Sequence, residues 1–171
     1  MRARTGSRSA RRITSTGSMA AGLATNADVF HVWWADPTRL FVLKKLGVQC
    51  TTLTAFTTLS GAPLELIVAH NASAVGSGGT ALTMNSSNSV YRGAMANTAL
   101  ASAGEIRGAT TAALTAPTGF VVETNPMAVC AGAPWLQHQS VPMFLWEQRD
   151  AGDHPLILSR GDVLIVRSGV V

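Results

Sequence analysis

The chain has 171 residues, of which 47% are hydrophobic and only 13% are charged. This length fits one domain with a substantial core and is short for two ordinary domains. The formal net charge is +4, from 13 Lys and Arg against 9 Asp and Glu. Five of those basic residues precede residue 13, which leaves eight basic and nine acidic groups, a charge of −1, on the rest. A general nucleic-acid-binding surface on the folded body is therefore not expected.

Residues 1–26 are predicted to form a flexible basic arm, followed by a single domain over residues 27–171. The arm is polar and has little hydrophobic periodicity. Its apolar patch at residues 19–23 is shorter than the roughly 7–15-residue core of a signal peptide, which argues against secretory export. An organellar transit peptide, also rich in Arg and Ser, is the open alternative. No stretch has the roughly 20 apolar residues of a membrane helix, so no membrane partner is expected.

The cations of the arm predict an anionic partner. An acidic protein surface, which Arg can pair through two hydrogen bonds, and nucleic acid, bound through its phosphates, are both open. A solubilising tail without a partner is the simplest alternative. The arm's cations are Arg2, Arg4, Arg8, Arg11 and Arg12.

From residue 28 onward, short apolar runs bounded by Gly, Pro, Asn and Asp predict strands. They favour an all-β fold: an antiparallel β-sandwich, with a jelly-roll-like arrangement. The two runs of 155–167 flank a short Gly-containing turn and predict a β-hairpin. Only 88–103 has a weak helical pattern. The predicted strands are 29–35, 39–50, 64–70, 80–84, 105–111, 119–124, 141–148, 155–159 and 162–167.

Two of these strands are apolar on both faces. In 29–35, side-chain alternation places Trp33 on one face and Trp34 on the other, and 141–148 places Phe144 with Trp146. A strand in a two-layer sandwich buries one face, so the second must meet the chain itself or a partner. This surplus raises the expectation of an assembly surface and of self-association.

No residue pattern predicts an enzyme, and no catalytic residue, metal site or cofactor is expected. The four histidines lack the close spacings that bring two imidazoles to one metal, and no nucleophile elbow or phosphate-binding loop occurs. Cys50 and Cys130 lie in apolar surroundings without a metal or redox spacing. The tripeptide 160–162 matches an integrin-binding motif, but a turn favours Gly and Asp for backbone reasons alone.

Several segments together resemble a family of small structural proteins of tailed-bacteriophage and prophage virions. The match spans about residues 29–167 and uses turns, strand starts and hairpins rather than catalytic residues. Arg160 and Asp162 depart from the family's C-terminal hairpin, and the basic arm is not part of its pattern. The matching segments are WADPTRL (34–40), GSGGTALTM (76–84), GATTAALTA (108–116), NPMA (125–128) and GDHPLILSRGDVLIVR (152–167).

The resemblance implies a non-enzymatic virion component. Our first hypothesis is a capsid decoration or cement protein, located on the capsid surface after assembly in the host cytoplasm. It would bind the major capsid protein and copies of itself, with Trp33, Trp34 and Trp146 as interface aromatics. The alternative is a head-fibre, tail-fibre or receptor-binding module that contacts a host glycan through loops 71–79 and 131–140, with Trp135 exposed. A metal-dependent cupin-like enzyme ranks last.

Overall fold

The fold is built entirely from strands in the part of the chain that the structure describes. The computed structural model describes residues 11–13, 24–49, 63–82, 89–91, 104–130, 143–149 and 154–169. None of these residues lies in a helix, and no described helix has the length and hydropathy to cross a membrane. The strands are β1 (Arg11–Ile13), β2 (Asp28–Trp34), β3 (Phe41–Leu43), β4 (Lys45–Val48), β5 (Leu64–His70), β6 (Thr80–Ala81), β7 (Ser89–Tyr91), β8 (Gly104–Gly108), β9 (Val121–Val122), β10 (Ala128–Cys130), β11 (Met143–Glu147), β12 (Leu156–Leu158) and β13 (Val163–Ser168).

A seven-stranded antiparallel sheet forms the larger layer. Its strand order is β10-β5-β13-β2-β8-β6, with β9 also pairing with β5. Strand β13 lies at its centre, where Leu164 is in register with Val32 of β2 and with Val68 of β5. The uninterrupted apolar run of β13 is typical of a strand buried on both faces. Its first four residues, Val163 to Val166, are accordingly all buried.

Two short strand pairs, β3–β12 and β4–β11, form the second layer. Their inward side chains, among them Leu43, Leu145 and Leu158, share one hydrophobic cluster with Leu66 and Leu164 of the large sheet. The predicted all-β antiparallel sandwich is thus confirmed. The jelly-roll-like arrangement stays a prediction.

The chain itself covers the opposite face of the large sheet. There Val163 and Ile165 pack with Ala72, while Trp33 and Phe120 lie against them. Loops on this side approach so closely that a Cβ on Gly76 would lie 2.7 Å from the His31 ring. For β2, the second apolar face predicted from sequence therefore packs against the chain itself.

The predicted hairpin over 155–167 is wrong. Strand β12 pairs with β3 in the second layer, whereas β13 pairs with β2 and β5 in the large sheet. The turn between them does form: Asp162 N donates to Ser159 O at 3.0 Å, and Gly161 has a φ of +85°. The two strands differ in burial, since β12 leaves Ile157 exposed while β13 is buried on both faces. The turn therefore connects layers instead of closing a hairpin.

Other predicted elements change in extent. The segment 39–50 divides into β3 and β4 because Lys44 and Lys45 are both exposed, which breaks strict alternation. In β11, a register shift between Phe144 and Trp146 turns Phe144 outward, while Trp146 packs against the core. These two residues therefore lie in different environments, whereas strand alternation predicted that they share one face.

Three strands were not predicted. Strand β10 is a three-residue edge strand beside β5, and β1 pairs with β7 in a separate two-stranded sheet. Strand β1 lies within the predicted arm, and β7 lies within the segment with the weak helical pattern. The rest of that segment up to residue 103 lies outside the described residues.

Adjacent residues of β12 test the layering. Leu158 is fully buried between the layers, whereas Ile157 is 42% exposed on the opposite face. We expect Leu158→Ala to lower the free energy of unfolding by about 2–5 kcal/mol, because it leaves a cavity between the layers. We expect Ile157→Ala to cost less than about 1 kcal/mol. Urea unfolding of both variants measures the difference, and equal losses would contradict the assigned faces.

Candidate functional site

The outward side of the second layer exposes large apolar side chains, and we call it the outer face. It comprises Leu40, Val42, Phe144 and Ile157, which are 60%, 43%, 45% and 42% exposed. Val42 and Ile157 are directly opposite each other on β3 and β12. Their neighbours Leu43, Leu156 and Leu158 point inward and are buried. The alternation of these two strands thus fixes which residues face outward.

Basic side chains surround the outer face. Lys45 Nζ lies 3.6 Å from the centroid of the Phe144 ring and donates to Glu147 Oε1 at 2.7 Å. This hydrogen bond lowers the pKa of the Glu147 carboxyl below its ordinary value. Lys44 donates to the Gln148 side chain. In the described ranges, this basic rim has four cations, Arg39, Lys44, Lys45 and Arg149, and two carboxylates, Asp36 and Glu147.

The three predicted interface tryptophans occupy different environments. Trp34 is only 3% exposed and donates its indole N–H to Arg39 O at 2.7 Å, so it belongs to the core and presents no surface to a partner. Trp33 is half-buried and donates to Ala72 O at 3.3 Å. Trp146 is half-buried against the main cluster. Trp135 and the loop 131–140 lie outside the described residues.

The predicted arginines of the arm are only partly described. Arg11 and Arg12 belong to β1, in register with Tyr91 and Val90 of β7. Arg2, Arg4 and Arg8 lie outside the described residues. The strand pairing therefore brings the end of the predicted arm beside the 89–91 segment.

A histidine bridge joins three segments at one end of the large sheet. His70, the last residue of β5, contacts Asp162 Oδ1 through Nδ1 at 2.7 Å and Glu123 Oε1 through Nε2 at 3.0 Å. These hydrogen bonds, that to Asp162 first and that to Glu123 second, raise the pKa of His70 above its ordinary 6.5. Asp162 Oδ2 also accepts from Ser159 N at 2.6 Å. Both ring nitrogens are engaged, so the bridge works as a positioning clamp on the β12–β13 turn.

A second histidine–carboxylate pair is buried under the loops that cover the large sheet. His31 has no exposed surface, and its Nε2 lies 2.9 Å from Asp28 Oδ2. Its Nδ1 has no hydrogen-bond partner among the described residues. Asp28 O accepts from Leu114 N at 2.8 Å, which anchors the covering loop. Because substrate cannot reach a fully buried ring, this pair acts within the folded structure.

Other predicted polar groups have structural surroundings. Cys130 is a free, half-buried thiol, and its burial raises its pKa above the ordinary value. Asp162 of the tripeptide 160–162 is occupied by His70 and Ser159, as expected of a turn residue. No group of three or more His, Cys, Asp or Glu side chains able to hold a metal occurs among the described residues.

Comparison with known proteins identifies no relative: no protein-family model, curated protein or solved structure matches the chain. Function must therefore be argued from the surfaces of the molecule. Sequence reasoning missed the outer face, although the alternating Leu40 and Val42 beside exposed lysines were a local signal. It also missed the histidine bridge, whose members His70 and Asp162 are 92 positions apart and have no local signal.

The raised pKa of His70 predicts a pH-dependent stability. Protonated His70 stabilises the folded state fully below its ordinary pKa of 6.5, and this contribution is lost as the pH rises through the raised value. We expect the melting temperature of the wild type to fall more than that of His70→Gln between about pH 6 and about pH 9. His154→Gln, a change at an exposed histidine, should retain the wild-type slope. Parallel slopes for wild type and His70→Gln would contradict a stabilising bridge.

Proposed function

We propose that the chain is a capsid decoration or cement protein that binds the major capsid protein through its outer face. The observation that supports this proposal is the set of four large apolar side chains, 42–60% exposed, on one side of the second layer. Scattered exposed apolar residues are ordinary, but a group on adjoining strands is typical of an interaction surface. The sequence resemblance to virion structural proteins supplies the class of partner.

The two layers of the sandwich differ in how they are covered. The far side of the large sheet is closed by the chain's own loops, which pack on Val163 and Ile165. No described segment covers Val42 or Ile157 in the same way. Burying apolar surface contributes roughly 25 cal/mol per Å², so covering the outer face is favourable for any partner of matching shape. The apolar side chains of β3 and β12 that point away from the core are thus left uncovered by the described chain.

The charge of the basic rim favours an acidic partner surface. Lys45 and Arg149 both contact Glu147, and Arg39 lies 4.0 Å from Asp36. A rim of like charge steers association and excludes similarly charged surfaces more than it adds affinity. The arginines of the arm have the same sign, so arm and outer face are suited to one acidic shell surface.

Many weak contacts suffice for this function. A decoration protein meets a repeating lattice, so once one contact forms, the next benefits from a high effective concentration. Self-association into a homo-oligomer increases this gain. Since the protein would bind the assembled lattice and not the dissociated subunits, its binding would stabilise the shell. The proposed location is the capsid surface, reached from the host cytoplasm during assembly.

A head-fibre, tail-fibre or receptor-binding module is the second candidate. It would use loop 71–79, which the structure describes beside the β12–β13 turn, where Ala72 N donates to Gly161 O at 2.8 Å. Electron micrographs of labelled particles distinguish decoration from a tail fibre, because decoration places label over the head and a tail fibre places it on the tail.

Polar substitutions on the outer face test the capsid contact. Val42→Thr with Ile157→Thr removes apolar surface but keeps β-branched side chains suited to strands. We expect occupancy on shells of the encoding phage that lack this protein to require at least about tenfold more protein, because buried apolar contacts are lost. The measurement is co-sedimentation of the full chain with such shells.

Val129→Thr is the matched control for this experiment. Val129 is 57% exposed on β10, opposite Glu65 in the large sheet, and is remote from β3 and β12 by strand order. We expect it to bind like the wild type. Wild-type occupancy by the Val42/Ile157 double variant would refute the outer face as the contact.

The role of the arm is tested without disturbing β1. Arg2→Gln, Arg4→Gln and Arg8→Gln remove three charges while keeping Arg11 and Arg12, which belong to the strand. We expect weaker shell occupancy and a smaller loss of binding as salt rises, because fewer screened charge contacts remain. Co-sedimentation over a salt series measures both, and unchanged curves would exclude a contribution from these arginines.

A further inference from the structure

A depression of about 430 Å³ lies beside the β12–β13 turn, and we call it the turn pocket. Its walls include Trp33 of β2, Asn71 and Ser73 of the loop after β5, and Arg160 and Gly161 of the turn. This volume falls within the roughly 300–1,000 Å³ typical of small-molecule sites. The pocket combines the aromatic ring of Trp33 and two alanines, Ala35 and Ala72, with an amide, a hydroxyl and a guanidinium.

Backbone hydrogen bonds hold these walls together before any ligand binds. Ala72 N donates to Gly161 O at 2.8 Å, and Gly161 N donates to Trp34 O at 2.7 Å. The indole N–H of Trp33 donates to Ala72 O at 3.3 Å, which fixes the ring against the loop. Gly161 has a φ of +85° and Asn71 a φ of 63°, conformations that suit these two residue types. A wall built this way loses little conformational freedom on binding.

The polar side chains of the turn pocket have no polar partners among the described residues. Asn71, Ser73 and Arg160 make no side-chain hydrogen bond to another described residue, and Arg160 makes no ion pair there. The nearest acid in sequence, Asp162, is already bound by His70 and by Ser159 N. The guanidinium of Arg160 is therefore available to an external anion.

We propose that the turn pocket binds a saccharide unit that bears a carboxylate. The indole of Trp33 offers an apolar surface for the C–H face of a pyranose ring. Asn71 and Ser73 supply donors and acceptors for hydroxyl groups, and Arg160 can pair with a carboxylate through two hydrogen bonds. A neutral sugar would leave the guanidinium without a partner, and a simple carboxylic acid would leave the amide and hydroxyl unused. An acidic saccharide can engage all four groups at once.

The turn pocket is separate from the outer face. Arg160 follows Ile157 by three positions, but the turn between them carries the chain from the second layer into the large sheet. The saccharide proposal consequently does not rest on the capsid proposal. A protein could decorate a shell through β3 and β12 and still present this pocket, or serve either role alone.

Ligand-observed NMR on the full chain tests the proposal with glucuronic acid, N-acetylneuraminic acid and glucose as probes. We expect saturable binding of at least one acidic sugar, with a dissociation constant on the order of 1 mM, and glucose at least about tenfold weaker. Arg160→Gln should weaken binding of the acidic sugar about tenfold, because it removes a charge-assisted pair. Ser73→Ala should weaken acidic sugar and glucose alike, by a few-fold.

Arg39→Gln is the matched control, since Arg39 is an exposed arginine of the basic rim and lies outside the turn pocket. It should bind the acidic sugar like the wild type. Both arginines are exposed, so the variants should keep the wild-type melting temperature. The proposal would be overturned if neither acidic sugar binds saturably, or if Arg160→Gln binds the acidic sugar with wild-type affinity. The shell occupancy of Arg160→Gln, measured separately, should be unchanged. That result would show that saccharide binding and capsid binding can be lost independently.

Discussion

Burial of β13 on both faces is the constraint on which the rest of the structure depends. Leu164 and Val166 contribute to the cluster between the layers, and Val163 and Ile165 contribute to the cluster under the loops. Neither face of this strand can be left in water without losing the apolar burial that dominates folding. The chain must therefore supply two covers for one sheet: β3, β4, β11 and β12 on one side, and the loops that pack near His31 on the other.

The two different coverings of the large sheet explain where apolar side chains remain exposed. The covering loops are irregular, so they can turn polar atoms outward. The second layer consists of strands, and alternation sends every other side chain to its far side. Val42 and Ile157 are outward because Leu43, Leu156 and Leu158 are inward, and the sequence places an apolar residue at both positions. The outward side of a solvated strand is ordinarily polar, which is why the capsid proposal assigns the contact to the outer face.

Local sequence patterns correctly predicted the long apolar strands, but they did not predict which strands pair with each other. Strands β2, β5 and β13 appear within one residue of their predicted bounds because continuous Val, Leu and Ile runs mark buried strands. The hairpin failed because Ser159–Asp162 forms the expected turn while β12 and β13 choose different partners, and pairing over such distances is not encoded locally. Strands β1, β7 and β10 have three residues each, too few to show a period. Among the site residues, Trp34 looked like an interface residue in sequence, but its position on the inward face of β2 makes it core.

The net charge of the chain likewise does not show how its charged groups are distributed over the fold. The body carries −1 by count, which suggests a nearly neutral surface. Around the large sheet, however, acids are matched within the fold: Glu65 pairs with Arg167, Glu105 with Arg107, and His70 with both Asp162 and Glu123. In the described part of the second layer, Lys45 and Arg149 both contact Glu147. Lys45 lies over the Phe144 ring, so a cation and an exposed apolar side chain meet on the outer face. Apolar and basic side chains therefore meet on the outer face, which is why the capsid proposal assigns to it an acidic shell surface with exposed apolar groups.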